Sequence, residues 1–150
     1  MRILVDTNIL VRRVNRKDPS FNEARMALNL LRERGDQLCV VPQIMIEFWS
    51  VCTRPLHRNG LGLSTAIADR ISTRIEDGLD LVPETPDTYA VWRALVKLHE
   101  VSGLKVFDAR LVASAKVHGI GVILTFNDSD FRRFSEVQVV HPARVGNRIA

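Results

Sequence analysis

The stretch Arg2-Ile3-Leu4-Val5-Asp6-Thr7-Asn8-Ile9-Leu10 decides how this chain is read. A short apolar run ending at Val5 reads as a strand, and Thr7 and Asn8 open a helix directly after it. Between them stands Asp6. In open parallel sheets the functional crevice lies beyond the carboxyl ends of the strands, which is where an acid in this position would sit. A helix-capping aspartate explains the same position without any ligand, so Asp6 alone leaves both readings open.

The pattern repeats along the chain. Gln37 to Val41, Leu79 to Val82, Gly121 to Thr125 and Val137 to His141 read as further strands, with helical patterns between them. This rhythm predicts an α/β fold with a mostly parallel sheet. Asp18-Pro19, Ser64 and Thr85-Pro86 carry the chemistry of helix starts, and Gly35, Gly78, Gly103 and Gly119 stand where helices should stop. A helix over Thr85 to Val101 presents Tyr89, Trp92, Leu95 and Val96 on one side, as expected for core packing. The segment Thr53 to Leu63, with Arg54, Pro55, Arg58, Asn59, Gly60 and Gly62, reads as an irregular and mobile connector that could reach over a ligand. At 150 residues, without repeats or an interdomain linker, one domain over 1–150 is expected.

Three more acids stand out beside Asp6. Glu47 shares a helical face with Ile44, Phe48 and Val51, and Asp108 shares one with Leu111, Val112 and Ala115. The fourth lies in Thr125-Phe126-Asn127-Asp128-Ser129-Asp130-Phe131, directly after an apolar strand, and either Asp128 or Asp130 can fill the role. An unpaired buried carboxylate costs several kcal/mol or takes up a proton, so acids converging on one place imply a bound divalent cation. Such a site supports phosphodiester hydrolysis. The bland readings are an acid favoured by a helix N-terminus for Asp108 and ordinary turn residues for 127–130.

Composition narrows the rest. The net charge is +4, and 17 of the 21 basic residues are arginine, the side chain best shaped for bidentate contact with phosphate. Apolar stretches fall far short of the roughly 20 residues needed to cross a bilayer, and the N-terminal run is too short for a signal peptide. A cytoplasmic protein without membrane contact is expected. Cys39 and Cys52 show no metal or redox spacing and read as reduced core residues, and His57, His99, His118 and His141 are too scattered for a zinc site or a catalytic pair. No nucleophile elbow, dinucleotide-binding turn or Walker loop is present, which removes support for acyl transfer, dinucleotide binding and NTP hydrolysis.

The ordered series Val5-Asp6-Thr7-Asn8-Ile9-Leu10, a mid-chain helical glutamate, Phe107-Asp108-Ala109-Arg110-Leu111-Val112-Ala113-Ser114-Ala115, and Leu124-Thr125-Phe126-Asn127 to Asp130-Phe131 resembles a PIN domain of the VapC toxin type. The resemblance spans nearly the whole chain. It implies a three-layer α/β/α sandwich with a mostly parallel sheet of four to five strands, and a ribonuclease site at which acids bind Mg2+, or Mn2+. Asp6, Glu47 and Asp108 match the three central acids, and Thr125 and Asn127 match the polar pair after the fourth strand. Many members carry an aspartate where this chain has Asn127, so Asp130 is the expected fourth acid and Asp128 the fallback. A toxin of this kind also implies an antitoxin whose C-terminal segment blocks the site, and a homodimer.

From these residues the expected activity is Mg2+-dependent endoribonuclease cleavage of RNA phosphodiesters by a water that the metal activates. Asp6 and Asp108 are expected to hold the ion, with Glu47 and Asp130 orienting or deprotonating the water or helping to hold a second ion. Thr7, Asn8, Thr125 and Asn127 are expected to hydrogen-bond and fix those carboxylates. Arg12, Arg13, Arg54, Arg58 and Arg110 are the candidates for holding RNA, with Arg16 and Lys17 beside them. Three alternatives remain: a stand-alone PIN nuclease, a PIN-like module that binds RNA without cutting, and a Mg2+-binding receiver-type regulatory domain. The last needs an acidic pair after the first strand and a late lysine, whereas Thr7 follows Asp6 and no lysine occurs after Lys116.

Overall fold

Ile3, Leu4 and Val5 are fully buried because their strand is the middle of the sheet. The computed structural model describes residues 1–146, so the last four positions of the expected domain, 147–150, lie outside the described residues. The strands are β1 (Arg2–Val5), β2 (Gln37–Val40), β3 (Asp80–Leu81), β4 (Val122–Leu124) and β5 (Gln138–Val140). Every pairing is parallel, and the order is β3-β2-β1-β4-β5. The helices are α1 (Thr7–Val14), α2 (Phe21–Glu33), α3 (Pro42–Thr53), α4 (Thr65–Gly78), α5 (Asp87–Leu98), α6 (Val106–Val117) and the short α7 (Asp128–Phe131). The expected α/β sandwich with a five-stranded parallel sheet is therefore what forms.

The strand order places the site. From β1 the chain steps outward to β2 and β3, then returns to the other side of β1 for β4 and β5. The direction of winding reverses between β1 and β4, and loops leaving the carboxyl ends of two such strands part to leave a crevice. Because parallel crossovers are right-handed, helices of the two winding directions cover opposite faces. The packing agrees: α1 touches α2 and α3, α3 touches α4, and α5 packs along α6. Burial on both faces explains the unbroken apolar runs Ile3-Leu4-Val5 and Val122-Ile123-Leu124, whose side chains are at most 5% exposed.

Several boundaries differ from the sequence reading. Ser64 caps α4 as expected, its hydroxyl accepting from the Ile67 amide at 3.2 Å. Asp18 instead shapes a turn, its carboxylate accepting from Ser20 N at 2.8 Å, and α2 starts at Phe21. The helix expected over Thr85 to Val101 is shorter, with Thr85 and Pro86 before its first turn. Leu95 is buried within it, but Tyr89 is 63% exposed and stacks on the half-buried Trp92, so only part of that stripe is core. Gly103, at φ 59°, does not end a helix but opens the 3-10 turn Gly103–Lys105 that leads into α6.

The connector 53–63 is also more ordered than expected. It contains the 3-10 turn Leu56–Arg58 and is tied to the end of α3 by backbone bonds from Leu61 to Val51, Gly62 to Arg54 and Leu63 to Cys52, at 2.8 to 2.9 Å. These bonds satisfy helix-end carbonyls that would otherwise lack partners. Gly60 is required there: a Cβ would lie 2.0 Å from the Arg54 carbonyl oxygen. Both cysteines are buried and free, as expected, and burial pushes the Cys52 thiol up to about 11. Among the described residues no helix is long and apolar enough to cross a membrane.

Candidate active site

Asp6 follows the last residue of β1 with extended backbone, φ −70° and ψ 155°, and its Oδ1 accepts from the Thr7 amide at 2.7 Å. The helix-capping reading is correct as far as it goes. The other oxygen does different work: Oδ2 accepts from the Thr125 hydroxyl at 2.7 Å and from Asn8 Nδ2 at 2.9 Å. A carboxylate has about four lone-pair directions, so three donors leave room for about one further partner facing the cleft. Asp6 is only 7% exposed. Burial pushes its carboxyl up to about 6, against the lowering effect of the Thr125 and Thr7 bonds, and the nearby charges of Glu47 and Asp108 raise it further. The hydrogen bonds do not cancel the cost of burying this charge.

Glu47 is half-buried on α3, held from both sides. Thr7 Oγ1 donates to its Oε2 at 2.9 Å and Gln43 Nε2 donates to its Oε1 at 2.8 Å. Gln43 is one helical turn earlier, so α3 supplies both the acid and its orienting amide. The same amide nitrogen reaches the Phe107 carbonyl at 3.1 Å, and Arg110 donates to Gln43 Oε1 at 3.1 Å, tying α3 to the start of α6.

Asp108, in the first turn of α6, lies at the edge of the buried stripe with its side chain 27% exposed, while Ala109, Leu111, Val112 and Ala115 fill the core. Burial raises its carboxyl above the usual range, Lys105 lowers it, and Asp130 and Glu47 raise it again. Asp130, in α7, receives the Lys105 ammonium at 2.5 Å, and the same nitrogen is 3.7 Å from Asp108 Oδ2. Asp128 instead pairs with Arg132 one turn on at 3.3 Å, which holds its carboxyl below the usual range.

Asp6, Glu47, Asp108 and Asp130 line one cleft of about 350 Å3, shared with Thr7, Asn8, Asn127, Asp18, Asn59 and the arginines Arg12 and Arg54. Asp128 does not line it. Thr125, fully buried, reaches the cleft through its bonds with Asp6 and Asn8 and through the Asn127 amide, which donates to its hydroxyl at 3.0 Å. Asn8 fixes the two strand ends together: its Nδ2 also reaches Thr125 Oγ1 at 3.0 Å, and its Oδ1 accepts from the Phe126 amide at 3.0 Å.

The arginines divide. Arg12 stacks over the Phe126 ring, 4.0 Å from its centroid, at the cleft wall. Arg13 faces away, over Phe21, in a separate groove between α1, α2 and α4. Arg110 is engaged by Glu84 and Gln43, and Arg58 sits in the exposed 3-10 turn without lining the cleft. The sequence reading overlooked Gln43 and Lys105. Their spacing was the available signal, four residues before Glu47 and three before Asp108, both helical-neighbour distances.

As a donor set the cleft is all oxygen, suited to a hard cation rather than zinc. Among the described residues no three or more His, Cys, Asp or Glu side chains are drawn close enough to hold a metal ion as they stand. Asp6 is nonetheless a buried acid with the charges of Glu47 and Asp108 nearby, a concentration of negative charge that a cation would offset.

Comparison with solved structures supports the same architecture. VapBC2 of Rickettsia felis, bound to a DNA fragment from its promoter, is similar at TM-score 0.71 and 13% identity, covering 94% of this chain and 98% of that one. A toxin-antitoxin complex from Klebsiella pneumoniae is similar at TM-score 0.62 and 22% identity, covering 93% and 97%. Mycobacterium tuberculosis VapC20, a toxin that cleaves the sarcin-ricin loop, is similar at TM-score 0.62 and 21% identity, covering 90% and 98%. No curated protein matches the chain. Residues 3–137 match the PIN domain family, and the chain, sharing its fold with VapC-type toxins, belongs to that family.

Proposed function

We propose that this chain is a single-domain, cytoplasmic endoribonuclease dependent on Mg2+ or Mn2+, the toxin of a VapBC-type pair. The observation that carries the reading is the convergence of Asp6, Glu47, Asp108 and Asp130 on one cleft at the reversal point of the sheet. In this reading Asp6 and Asp108 hold the ion, with Glu47 or Asp130 completing the set. Bound there, the ion supplies a lowered pKa for water and neutralisation of charge on the scissile phosphate. Thr7 and Gln43 hold Glu47 so that its carboxylate can orient or deprotonate the attacking water. Thr125 and Asn8 keep the Asp6 oxygens fixed, so little reorganisation is needed on the approach to the transition state. Arg12 and Arg54 bring positive charge to the cleft wall for the RNA backbone.

The structural relatives from Rickettsia and Klebsiella are complexes with antitoxins, which supports a protein partner here. The groove between α1, α2 and α4 has the chemistry for one: Leu10, Phe21 and Ile71 form an apolar floor, with Arg13, Arg16, Arg32 and Arg74 around it. An amphipathic segment with acidic residues complements that surface. Exposed Tyr89, Leu104 and Phe107 support self-association into a homodimer.

One observation favours a second reading, a module that binds RNA without cutting it: the Lys105 ammonium already offsets part of the charge of Asp108 and Asp130. A fluorescent RNA cleavage assay separates the two. The nuclease reading requires cleavage that Mg2+ or Mn2+ supports, that EDTA stops and that Asp6→Asn lacks. RNA binding by the wild-type chain without cleavage in either Mg2+ or Mn2+ would establish the second reading.

A further inference from the structure

Lys105 stands where its charge is locally disfavoured. It immediately precedes α6, at the positive end of a 12-residue helix, where lysine is unfavourable and acids are preferred. Its own side chain is 48% exposed, with open water available to it. Yet the ammonium turns inward, 2.5 Å from Asp130 Oδ1 and 3.7 Å from Asp108 Oδ2. Lys105 ends the short 3-10 turn opened by Gly103 at φ 59°. A residue whose local setting opposes it, held by two acids of a candidate site, marks a functional compromise.

We infer that Lys105 is a tethered counter-ion, occupying the Asp108–Asp130 side of the cleft in the ion-free protein and giving it up when a divalent cation binds. The inference rests on the reading of the cleft as a metal-dependent site. A single ammonium between two carboxylates does what a cation does, offsetting their repulsion, but with one charge on a flexible four-carbon stem. Both cannot occupy the same side of the pair. The lysine therefore lowers the apparent affinity for the ion while keeping the empty site assembled. Exposed ion pairs contribute modestly, which sets the competition at about two- to fivefold in affinity.

The test is Mn2+ binding to the full chain by titration calorimetry, with melting temperatures measured in EDTA and in saturating Mn2+. Lys105→Gln should bind Mn2+ about two- to fivefold more tightly than wild type, melt lower in EDTA, and show the larger Mn2+-induced rise in melting temperature. Lys105→Arg, which keeps the charge, should bind no more tightly than wild type. Arg54→Gln removes an equal charge from the same cleft and controls for the general field; it should change affinity by less than Lys105→Gln. Equal affinities in wild type and Lys105→Gln, or equal gains in Lys105→Gln and Arg54→Gln, would overturn the counter-ion role and leave the metal site standing. No Mn2+ binding by wild type or by any variant would instead remove the metal site, and the inference with it.

Discussion

Thr125 Oγ1 donates a 2.7 Å hydrogen bond to Asp6 Oδ2 across 119 residues of sequence, joining the ends of the two neighbouring strands between which the sheet reverses its winding. The bond is fully buried at Thr125, so it competes with little water. It also runs against the main electrical fact of the site, which is that Asp6 is too buried to ionise easily. Asp6 is thus held in place by donors yet remains costly as an anion, a condition that a cation relieves.

That cost makes stability depend on pH. With a folded pKa of about 6 and an unfolded value near 4, Asp6 binds a proton in the native state over a range where the unfolded chain has released it. Below about pH 4 both states are protonated, and above about pH 6 both are ionised. The ion-free protein should therefore lose stability as pH rises from about 4 to about 6, by roughly 2 to 3 kcal/mol from this group. Asp6→Asn should remove that dependence, remain folded and cut RNA more than about a hundredfold slower than wild type. Urea denaturation in EDTA at pH 4.5 and pH 7 measures the stability change; the same slope in wild type and Asp6→Asn would refute it.

Gln43 does not line the cleft, but it holds Glu47 and links α3 to α6 through the Phe107 carbonyl and Arg110. Gln43→Ala should lower the cleavage rate by about 10- to 100-fold, as removal of an orienting partner does around metal sites. Gln43→Glu should do worse, because it places a second negative charge beside Glu47. If Gln43→Ala cleaves as fast as wild type, Glu47 does not depend on this amide for its position.

How much of this was legible varies residue by residue. Asp6 could be found because an acid interrupting an apolar strand breaks the burial pattern, but its bond to Thr125 could not, since nothing local connects positions 6 and 125. Glu47 and Asp108 were legible from helical spacing, which assigns a face and not a depth; both prove half-buried at the rim. Gln43 and Lys105 went unnoticed because polar residues one turn before an acid are what any solvent-facing helix surface carries. The segment 53–63 reads as irregular from its proline, glycines and asparagine. Its order comes from amides returning to the carbonyls that end α3, a pairing that composition does not encode.

The partner groove is testable through its charge. If the proposed toxin reading holds, reversing that charge at the rim with Arg13→Glu and Arg74→Glu should weaken binding of an antitoxin partner and make that binding less sensitive to salt, while RNA cleavage by the free chain stays near wild type. Calorimetric titrations at about 50 and about 300 mM NaCl, a range over which screening changes strongly, would measure both effects. Unchanged affinity at both salt concentrations would move the partner to a different surface.

Arginines that are neighbours in sequence should behave differently toward RNA. Arg12 and Arg54 line the acidic cleft, whereas Arg13 faces the groove behind α1 and Arg58 lies in the exposed turn outside the cleft. Removing one arginine that neutralises a phosphate should reduce the slope of log affinity against log salt by about one for duplex and somewhat less for single strands. Arg12→Ala and Arg54→Ala should each flatten that slope, and Arg13→Ala should leave it unchanged. Arg12→Ala should also cost some stability, because its guanidinium covers the Phe126 ring at 4.0 Å. The measurement is RNA binding by fluorescence anisotropy across a salt series, in EDTA so that the RNA stays intact. Should Arg13→Ala flatten the slope as much as Arg54→Ala, RNA would have to follow the rear groove rather than the cleft, and the acids would no longer face the bound backbone.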